Sequence, residues 1–388
     1  MRTHRIRRVT AVLGPHPTAH RDGLRAHVTA AVEAAGFACT LAACDDADAV
    51  AAAVRAADGD ALLVASGGAG DDPALRSAVM ARGLPAVHVD LAAALERLAP
   101  APAWLCQVHG RGLDGFRWAL KALAARTAWP YETVLYGPEP ENVAHLRLPP
   151  GDAPAGVFPL VVLLHGGFWM DQWEFDLMDG LGVDLARRGY ASLNLEFRRI
   201  GVTGGGWPST FADIAAALDR LPELAQAGRP LDLARVALVG HSAGGHLVLW
   251  AGCARDLAGQ HPVQVGFRPA LVVTVSGCND LAETERRGLG DGAVSRLLGG
   301  RPGDLPERYA AACGSARLDP AVPVVAVVGL NDHPDLVDQS RLLVERLHGL
   351  GAGDRAELVE IEGGDHFTVI DAATPSWERI VAVLDARL

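Results

Sequence analysis

The sequence predicts an α/β protein built from two parallel-sheet domains in tandem, and three observations predict it. Short apolar, β-branched runs alternate with alanine-rich stretches through residues 1–126. A second alternation of the same kind occupies the C-terminal two-thirds. Between them, residues 127–150 (TAWPYETVLYGPEPENVAHLRLPP) change character, with aromatics, prolines and turn residues in place of helical patterning. A chain of 388 residues also suits two domains, since one domain takes roughly 100–200 residues.

In the first array the expected strands are 9–13, 38–43, 60–65, 86–91 and 104–108. The expected helices are 21–35, 47–57, 73–81 and 113–125, with a further short helix at 92–98. Apolar strands separated by helices mean a parallel sheet covered on both faces. Five strands in that rhythm predict a flavodoxin-like doubly wound sheet. The 127–150 segment reads as a linker running into two antiparallel strands, so the boundary falls at 126/127. In the second array the strands are 160–164, 191–196, 236–239, 271–275, 324–328 and 357–361. Its helices fall near 176–188, 210–220, 244–257, 336–349 and 376–387.

Composition narrows the function. Hydrophobic residues make up 49% of the chain, enough for two cores, and the net charge of −11 argues against nucleic-acid and anionic-membrane partners, which select basic patches. Cys39, Cys44, Cys106, Cys253, Cys278 and Cys313 form no CxxC pair and no zinc-type spacing, so no metal is expected. No phosphate-cradling glycine loop of Walker or dinucleotide type is present, so no cofactor is expected. The basic N-terminus MRTHRIRRV is not followed by a signal-type apolar segment, and no 18-residue apolar run exists; a cytoplasmic protein is expected.

The chemistry lies in the second array. Residues 236–239 form a buried strand, 240–244 read Gly-His-Ser-Ala-Gly, and 247–250 continue as an apolar helix. This strand–turn–helix context is what the G-x-S-x-G nucleophile elbow requires. It makes Ser242 the nucleophile, with Gly240 and Gly244 leaving no side chain where strand and helix cross. Strand 160–164 runs into His165-Gly166-Gly167-Phe168-Trp169, an H-G-G-x pattern whose backbone N–H groups stabilise an oxyanion. The donors are assigned to Gly167, Phe168 and Ala243, with His165 bracing the loop. On this fold an acid and then a histidine follow the serine. Past strand 324–328, Asp332 and Asp335 compete for the acid; Asp332 is nearer the strand end in Gly329-Leu330-Asn331-Asp332 and is preferred. His366, in a glycine-rich loop after the last strand, is the expected base, with His333 the rival and Asp365 a loop-ordering residue. The whole describes a Ser-His-Asp hydrolase working through an acyl-enzyme.

On these motifs residues 130–388 resemble the α/β-hydrolase superfamily, near hormone-sensitive-lipase-like esterases and kynurenine formamidase. The residues that carry the likeness are HGGFW at 165–169, GHSAGGH at 240–246, NDHPDLVDQS at 331–340 and DHF at 365–367, with EFRRIG at 196–201 and GGGW at 204–207. The resemblance implies hydrolysis of a small ester or aryl amide. Trp169 and Trp207 are candidates to line an aromatic acyl pocket, and 279–320 is the candidate cap.

The first array is similar to type II 3-dehydroquinate dehydratase through GLPAVHVDL at 83–91, GRGLDGFRWAL at 110–120 and PALRSAV at 73–79. That family's catalytic tyrosine has no counterpart, since no tyrosine precedes Tyr131. Ala65 stands for its asparagine, Asp71 and Asp72 for its histidine, and Ala92, Ala93 and Leu95 near its later polar residues. A non-catalytic domain serving assembly or covering the hydrolase site is therefore expected, with His16 and His20 in a solvated loop. The relatives' oligomers imply a homo-oligomer. Two other activities compete with hydrolysis: acyl transfer or cyclisation by the same triad, and lyase activity of the first array.

Overall fold

The computed structural model describes residues 6–15, 21–65, 72–91, 104–151, 153, 156–253 and 262–388. The chain separates into two compact units, Met1–Pro130 and Tyr131–Leu388.

The first unit runs β1 (Arg8–Leu13), α1 (Arg21–Ala34), β2 (Ala38–Ala43), α2 (Ala47–Ala56), β3 (Ala61–Ala65), α3 (Pro73–Arg82), β4 (Ala86–Asp90), β5 (Cys106–His109) and α4 (Asp114–Ala128). Its strands are all parallel, in the order β2-β1-β3-β4-β5. That is the flavodoxin-like order read from the strand–helix rhythm. The period-2 alternation of strand side chains explains the two cores. Val9, Ala11, Leu63 and Val87 pack against Val28 and Val32 of α1 and Phe116 and Leu120 of α4. Val12, Leu62 and Val64 face Val50 and Val54 of α2 and Leu75 of α3. Asp46 and Asp72 accept backbone N–H groups at the starts of α2 and α3 at 2.7 Å, giving two helix starts a side-chain cap. The short helix expected at 92–98, and His16, His20, Asp71, Ala92, Ala93 and Leu95, lie outside the described residues.

The second unit contains β6 (Glu132–Leu135), β7 (Val143–Arg147), β8 (Phe158–Leu164), α5 (Asp179–Arg187), β9 (Ala191–Leu195), α6 (Ser209–Asp219), α7 (Leu221–Gln226), β10 (Leu231–His241) and α8 (Ala243–Cys253). There follow β11 (Leu271–Val275), α9 (Leu281–Arg286), α10 (Ala293–Leu298), α11 (Pro306–Ala312), β12 (Val324–Gly329), α12 (Pro334–Gly349), β13 (Ala356–Ile361) and α13 (Pro375–Arg387). The sheet order is β13-β12-β11-β10-β8-β9-β7-β6. Only β6 and β7 break the parallel pattern, pairing antiparallel with each other, and β7 with β9. The central strands β8, β9, β11 and β12 are buried almost end to end, as their unbroken aliphatic runs require.

The topology fixes where chemistry gathers. Because β8, β10, β11, β12 and β13 are mutually parallel, their carboxyl ends lie along one edge of the sheet. Ligands bind at that edge in open α/β sheets. The segments that follow these strands begin at His165, Ser242, Ser276, Leu330 and Glu362. Helix α8, every residue of which is buried, runs back from this edge as the central helix of the unit. A helix apolar on all sides belongs inside a core.

Candidate active site

The elbow begins where β10 ends. Ser242 has φ +55°, a left-handed conformation that costs an L-residue roughly 1–2 kcal/mol. It is held there by its N–H donating to the Val275 carbonyl at 2.8 Å and by α8 starting at the next residue. The flanking glycines are steric necessities. A Cβ on Gly240 would run into the carbonyl of Gly244, and one on Gly244 would run into the carbonyls of Leu164 and His165. Strand, turn and helix therefore close on each other only because both positions lack side chains.

The loop after β8 turns over through three consecutive positive φ values: Gly167 at +110°, Phe168 at +51° and Trp169 at +58°. Among the described residues, the N–H groups of Gly167, Phe168 and Ala243 donate to no protein acceptor. Three unpaired donors around the elbow, one of them at the N-terminus of α8, suit a developing negative charge. Gly166 lies directly against Ser242: a Cβ there would sit 2.9 Å from the Ser242 Cβ. Gly167 is closed over by the side chain of Trp173.

A buried ionic cluster holds this loop. His165 Nε2 donates to Glu196 Oε1 at 3.0 Å, and the ring stacks on Phe197 with centroids 4.4 Å apart. Glu196 also accepts from the N–H groups of Phe197 and Phe175 and from Arg199 Nη1 at 2.8 Å. Arg199 in turn donates to the Trp173 carbonyl at 2.9 Å. Burial works against the Glu196 carboxylate, but Arg199 and His165 outweigh it and hold its pKa below the ordinary range. On the same loop, Asp171 accepts the Val202 N–H at 2.6 Å.

The opposite wall carries the histidine. His366 Nδ1 lies 2.9 and 3.0 Å from the two carboxylate oxygens of Asp332. A carboxylate can only accept, so Nδ1 carries the proton and Nε2 is left as the basic nitrogen. Burial would raise the Asp332 carboxyl; His366 and the His333 N–H, at 2.6 Å, lower it below its usual value. The Asp332 side chain is 1% exposed and that of His366 is 27% exposed. The rivals are engaged elsewhere. Asp335 pairs with Arg287 at 2.7 Å. His333 starts α12, accepting the Asp335 N–H at 3.3 Å. Asp365 accepts the N–H groups of Phe367 and Thr368 at 2.9 and 2.8 Å and so orders its own loop.

Among the described residues the Ser242 hydroxyl and the His366 ring are not hydrogen-bonded to each other. They are linked through His241, next to Ser242, whose ring lies against that of His366 with centroids 4.6 Å apart and planes tilted by 49°. Hydrogen bonds of this kind are often long in the unliganded state and tighten when substrate binds.

The two tryptophans part company. Trp169 is 1% exposed, enclosed in the core and edge-on to His246 at 5.4 Å. Trp207 is half-buried against Phe211 at 5.0 Å. Two further half-buried aromatics, given no role by the sequence, stand near the site: Trp173, over Gly167, and Phe367, next to His366 in the chain; the Trp173 and Phe367 ring centroids are 6.1 Å apart. From the 279–320 segment, Gly290 comes close against the Phe168 ring. Glu196, Arg199, His241 and Ser276 were also not assigned roles. Glu196, Arg199 and His241 fall inside the EFRRIG and GHSAGGH motifs, and all four lie within four residues of a strand's carboxyl end, which was the signal that could have singled them out. No group of three or more His, Cys, Asp or Glu suited to a metal occurs among the described residues, and no helix there is long and apolar enough to cross a membrane.

An eight-stranded, mostly parallel sheet with a serine elbow after its long central strand is an α/β-hydrolase fold. The chain belongs to the BD-FAE family, whose model matches residues 146–347, just over half its length. Comparison with curated protein sequences gives no match. Among solved structures it is similar to a bifunctional GH43-CE protein of Bacteroides eggerthii (TM-score 0.55, 23% identity, 66% of this chain and 37% of that one). The chain thus spans little more than a third of that relative. It is also similar to esterase B from Lactobacillus rhamnosis (TM-score 0.54, 24% identity, 66% of this chain and 85% of that one). A third is the thermophilic esterase Est2 of the planctomycete Thermogutta terrifontis (TM-score 0.53, 20% identity, 66% of this chain and 90% of that one).

Proposed function

We propose that this chain is a serine hydrolase that cleaves a small ester or aryl amide. Ser242 acts as nucleophile, His366 as general base and then acid, and Asp332 as the group that fixes the imidazole. The observation that carries the reading is the pairing of His366 Nδ1 with the buried Asp332 beside a serine at φ +55°. The Ser242 hydroxyl attacks the acyl carbon and passes its proton to His366 Nε2. The oxyanion takes hydrogen bonds from Gly167, Phe168 and Ala243, each such donor being worth about 3–4 kcal/mol. Collapse expels the alcohol or amine, protonated by His366, and water repeats the sequence on the acyl-enzyme.

Two similar proteins support the ester reading: one is an esterase inhibited by a tributyrin phosphonate, and the other is an esterase found phosphoramylated by tabun. The Trp173–Phe367 pair at the rim suits an aryl group in the substrate. For the first unit, the proposal is a dehydratase-derived domain without dehydratase activity, since Ala65 at the end of β3 offers no polar group where that chemistry needs one.

A fluorophosphonate probe tests the reading. Wild type is labelled and Ser242→Ala is not; equal labelling of the two overturns it. A screen of short-chain aryl esters and N-formyl aryl amides on the full chain then ranks the substrate classes.

A further inference from the structure

The residue between Gly240 and Ser242 is enclosed, yet its side chain reaches across the site. His241 is 1% exposed. Its Nε2 lies 2.8 Å from the backbone carbonyl oxygen of His366. Its Nδ1 is buried and has no hydrogen-bond partner among the described residues. A carbonyl oxygen is only an acceptor, so the imidazole is the Nε2–H tautomer. The space it fills exists because residue 166 is glycine: a Cβ there would stand 2.8 Å from His241 Nδ1. The ring packs against His366 at 4.6 Å and near Phe367 at 6.2 Å.

We propose that His241 is a positioning residue that ties the loop bearing the general base to the nucleophile elbow. The proposal rests on the hydrolase reading above and deepens it. The imidazole of His366 is oriented from its side chain by Asp332. The backbone of its glycine-rich loop is held locally, by the Asn331 N–H donating to the Gly364 carbonyl at 2.8 Å and by Asp365 accepting the Phe367 and Thr368 N–H groups, and none of these ties runs to the elbow. His241 supplies the second anchor, and it does so from the residue adjoining the nucleophile. The elbow and the His366 backbone are therefore joined directly by this side chain. Glycine at 166 is then required twice, for access to Ser242 and for room beside His241.

The group is also suited to the task in its charge state. Burial, and then the neighbouring His366, push the His241 imidazole down to about 3. It stays neutral while His366 takes up a proton in the reaction. A cation at this position would oppose that protonation.

The experiment compares His241→Phe, His241→Leu and His241→Gln in the full chain with wild type, using a chromogenic aryl ester. Phe and Leu fill the enclosure without a donor; Gln restores an N–H at the place of Nε2. All rates are normalised to the folded fraction, taken from the amplitude of the melting transition, so a poorly folding variant still reports. In Phe and Leu, kcat falls about tenfold to a hundredfold with KM within twofold, the loss expected when a catalytic group drifts from its productive position. Gln recovers most of that loss. A wild-type kcat in either Phe or Leu, or a Gln variant as slow as Leu, overturns the proposal. Fluorophosphonate labelling of wild type separates this failure from failure of the hydrolase reading: an unlabelled wild type refutes the latter, and a labelled wild type with unaffected His241 variants refutes the anchor alone.

Discussion

The two walls of the site are held by opposite means. The oxyanion wall, residues 165–173, is fixed by buried charge: Glu196, 3% exposed, receives four donors, and Arg199, also 3% exposed, spans from Glu196 to the Trp173 carbonyl. The base wall, residues 332 and 363–367, carries one buried carboxylate, Asp332, and no buried cation like Arg199; the rest is tied by the His241 hydrogen bond to the His366 carbonyl and by the exposed Asp365 carboxylate, which accepts the Phe367 and Thr368 N–H groups. The difference matches what the proposed mechanism asks of each wall. An oxyanion hole must be rigid before the charge develops, because its donors stabilise only if they need not reorganise. The histidine must accept and release a proton, and a dense ionic lattice around it would fix its charge in one state.

The comparison breaks most visibly at Asp332. In Asp332→Asn the amide presents an N–H to His366 Nδ1, so the imidazole is held in the wrong tautomer. The expected loss in kcat is roughly ten-thousandfold, with the loop geometry kept. Steady-state rates on an aryl ester measure it, and a variant within tenfold of wild type would remove Asp332 from the mechanism. Glu196→Gln, on the other wall, is the next largest. It leaves Arg199 buried without its carboxylate, which costs on the order of 3 kcal/mol in stability. As the loop loosens, kcat falls about tenfold while the pH dependence of the rate is unchanged. Denaturant melts paired with kinetics check both numbers. The contrast between the walls requires that Glu196→Gln loses stability and rate together, whereas Asp332→Asn loses mostly rate.

How much of this was legible in the sequence follows from the range of the interactions. The elbow at Gly240–Gly244 and the turn at Gly166–Gly167 are exposed by pattern alone, because each sits as a short glycine motif directly after an apolar strand, although the contacts that demand Gly166 and Gly244 come from each other's loops across the sheet. The parallel strands are legible for the same reason, their aliphatic runs being buried on both faces. Helix α7 and helices α9, α10 and α11 of the 279–320 segment span only six or seven residues. One or two turns carry no periodicity to read. The start of β10 at Leu231 is hidden by Asp232 and Arg235, where its register with β8 shifts. The networks that hold the walls were the least legible. His241 meets His366 across 125 residues and His165 meets Glu196 across 31. A buried glutamate or histidine looks in sequence like a solvated one until the topology brings its partner to the same edge of the sheet.

Acid should separate the walls once more, by a smaller effect. His241 and His246 are both fully enclosed, and burial pushes their pKa values down to about 3 and about 4 from 6.5. In the unfolded chain each titrates near 6.5, so below that pH the unfolded state binds protons that the folded state refuses. The stability these neutral rings contribute is complete above pH 6.5 and is lost as the pH falls toward 4. The slope is on the order of 1 kcal/mol per histidine per pH unit. Glu196 follows the carboxylate pattern, its folded pKa lying below 4.5. Its contribution is therefore whole while the histidine contributions decline and begins to be lost only as the pH nears and passes below 4.5. Urea midpoints measured from pH 7 to pH 4 should fall throughout the range in wild type. In His246→Gln, whose amide can still donate to the Ala312 carbonyl that His246 Nε2 meets at 2.8 Å, they should fall less steeply. A flat profile in wild type would mean that these rings admit a proton where they stand, and that the base side of the site is less dry than its burial implies.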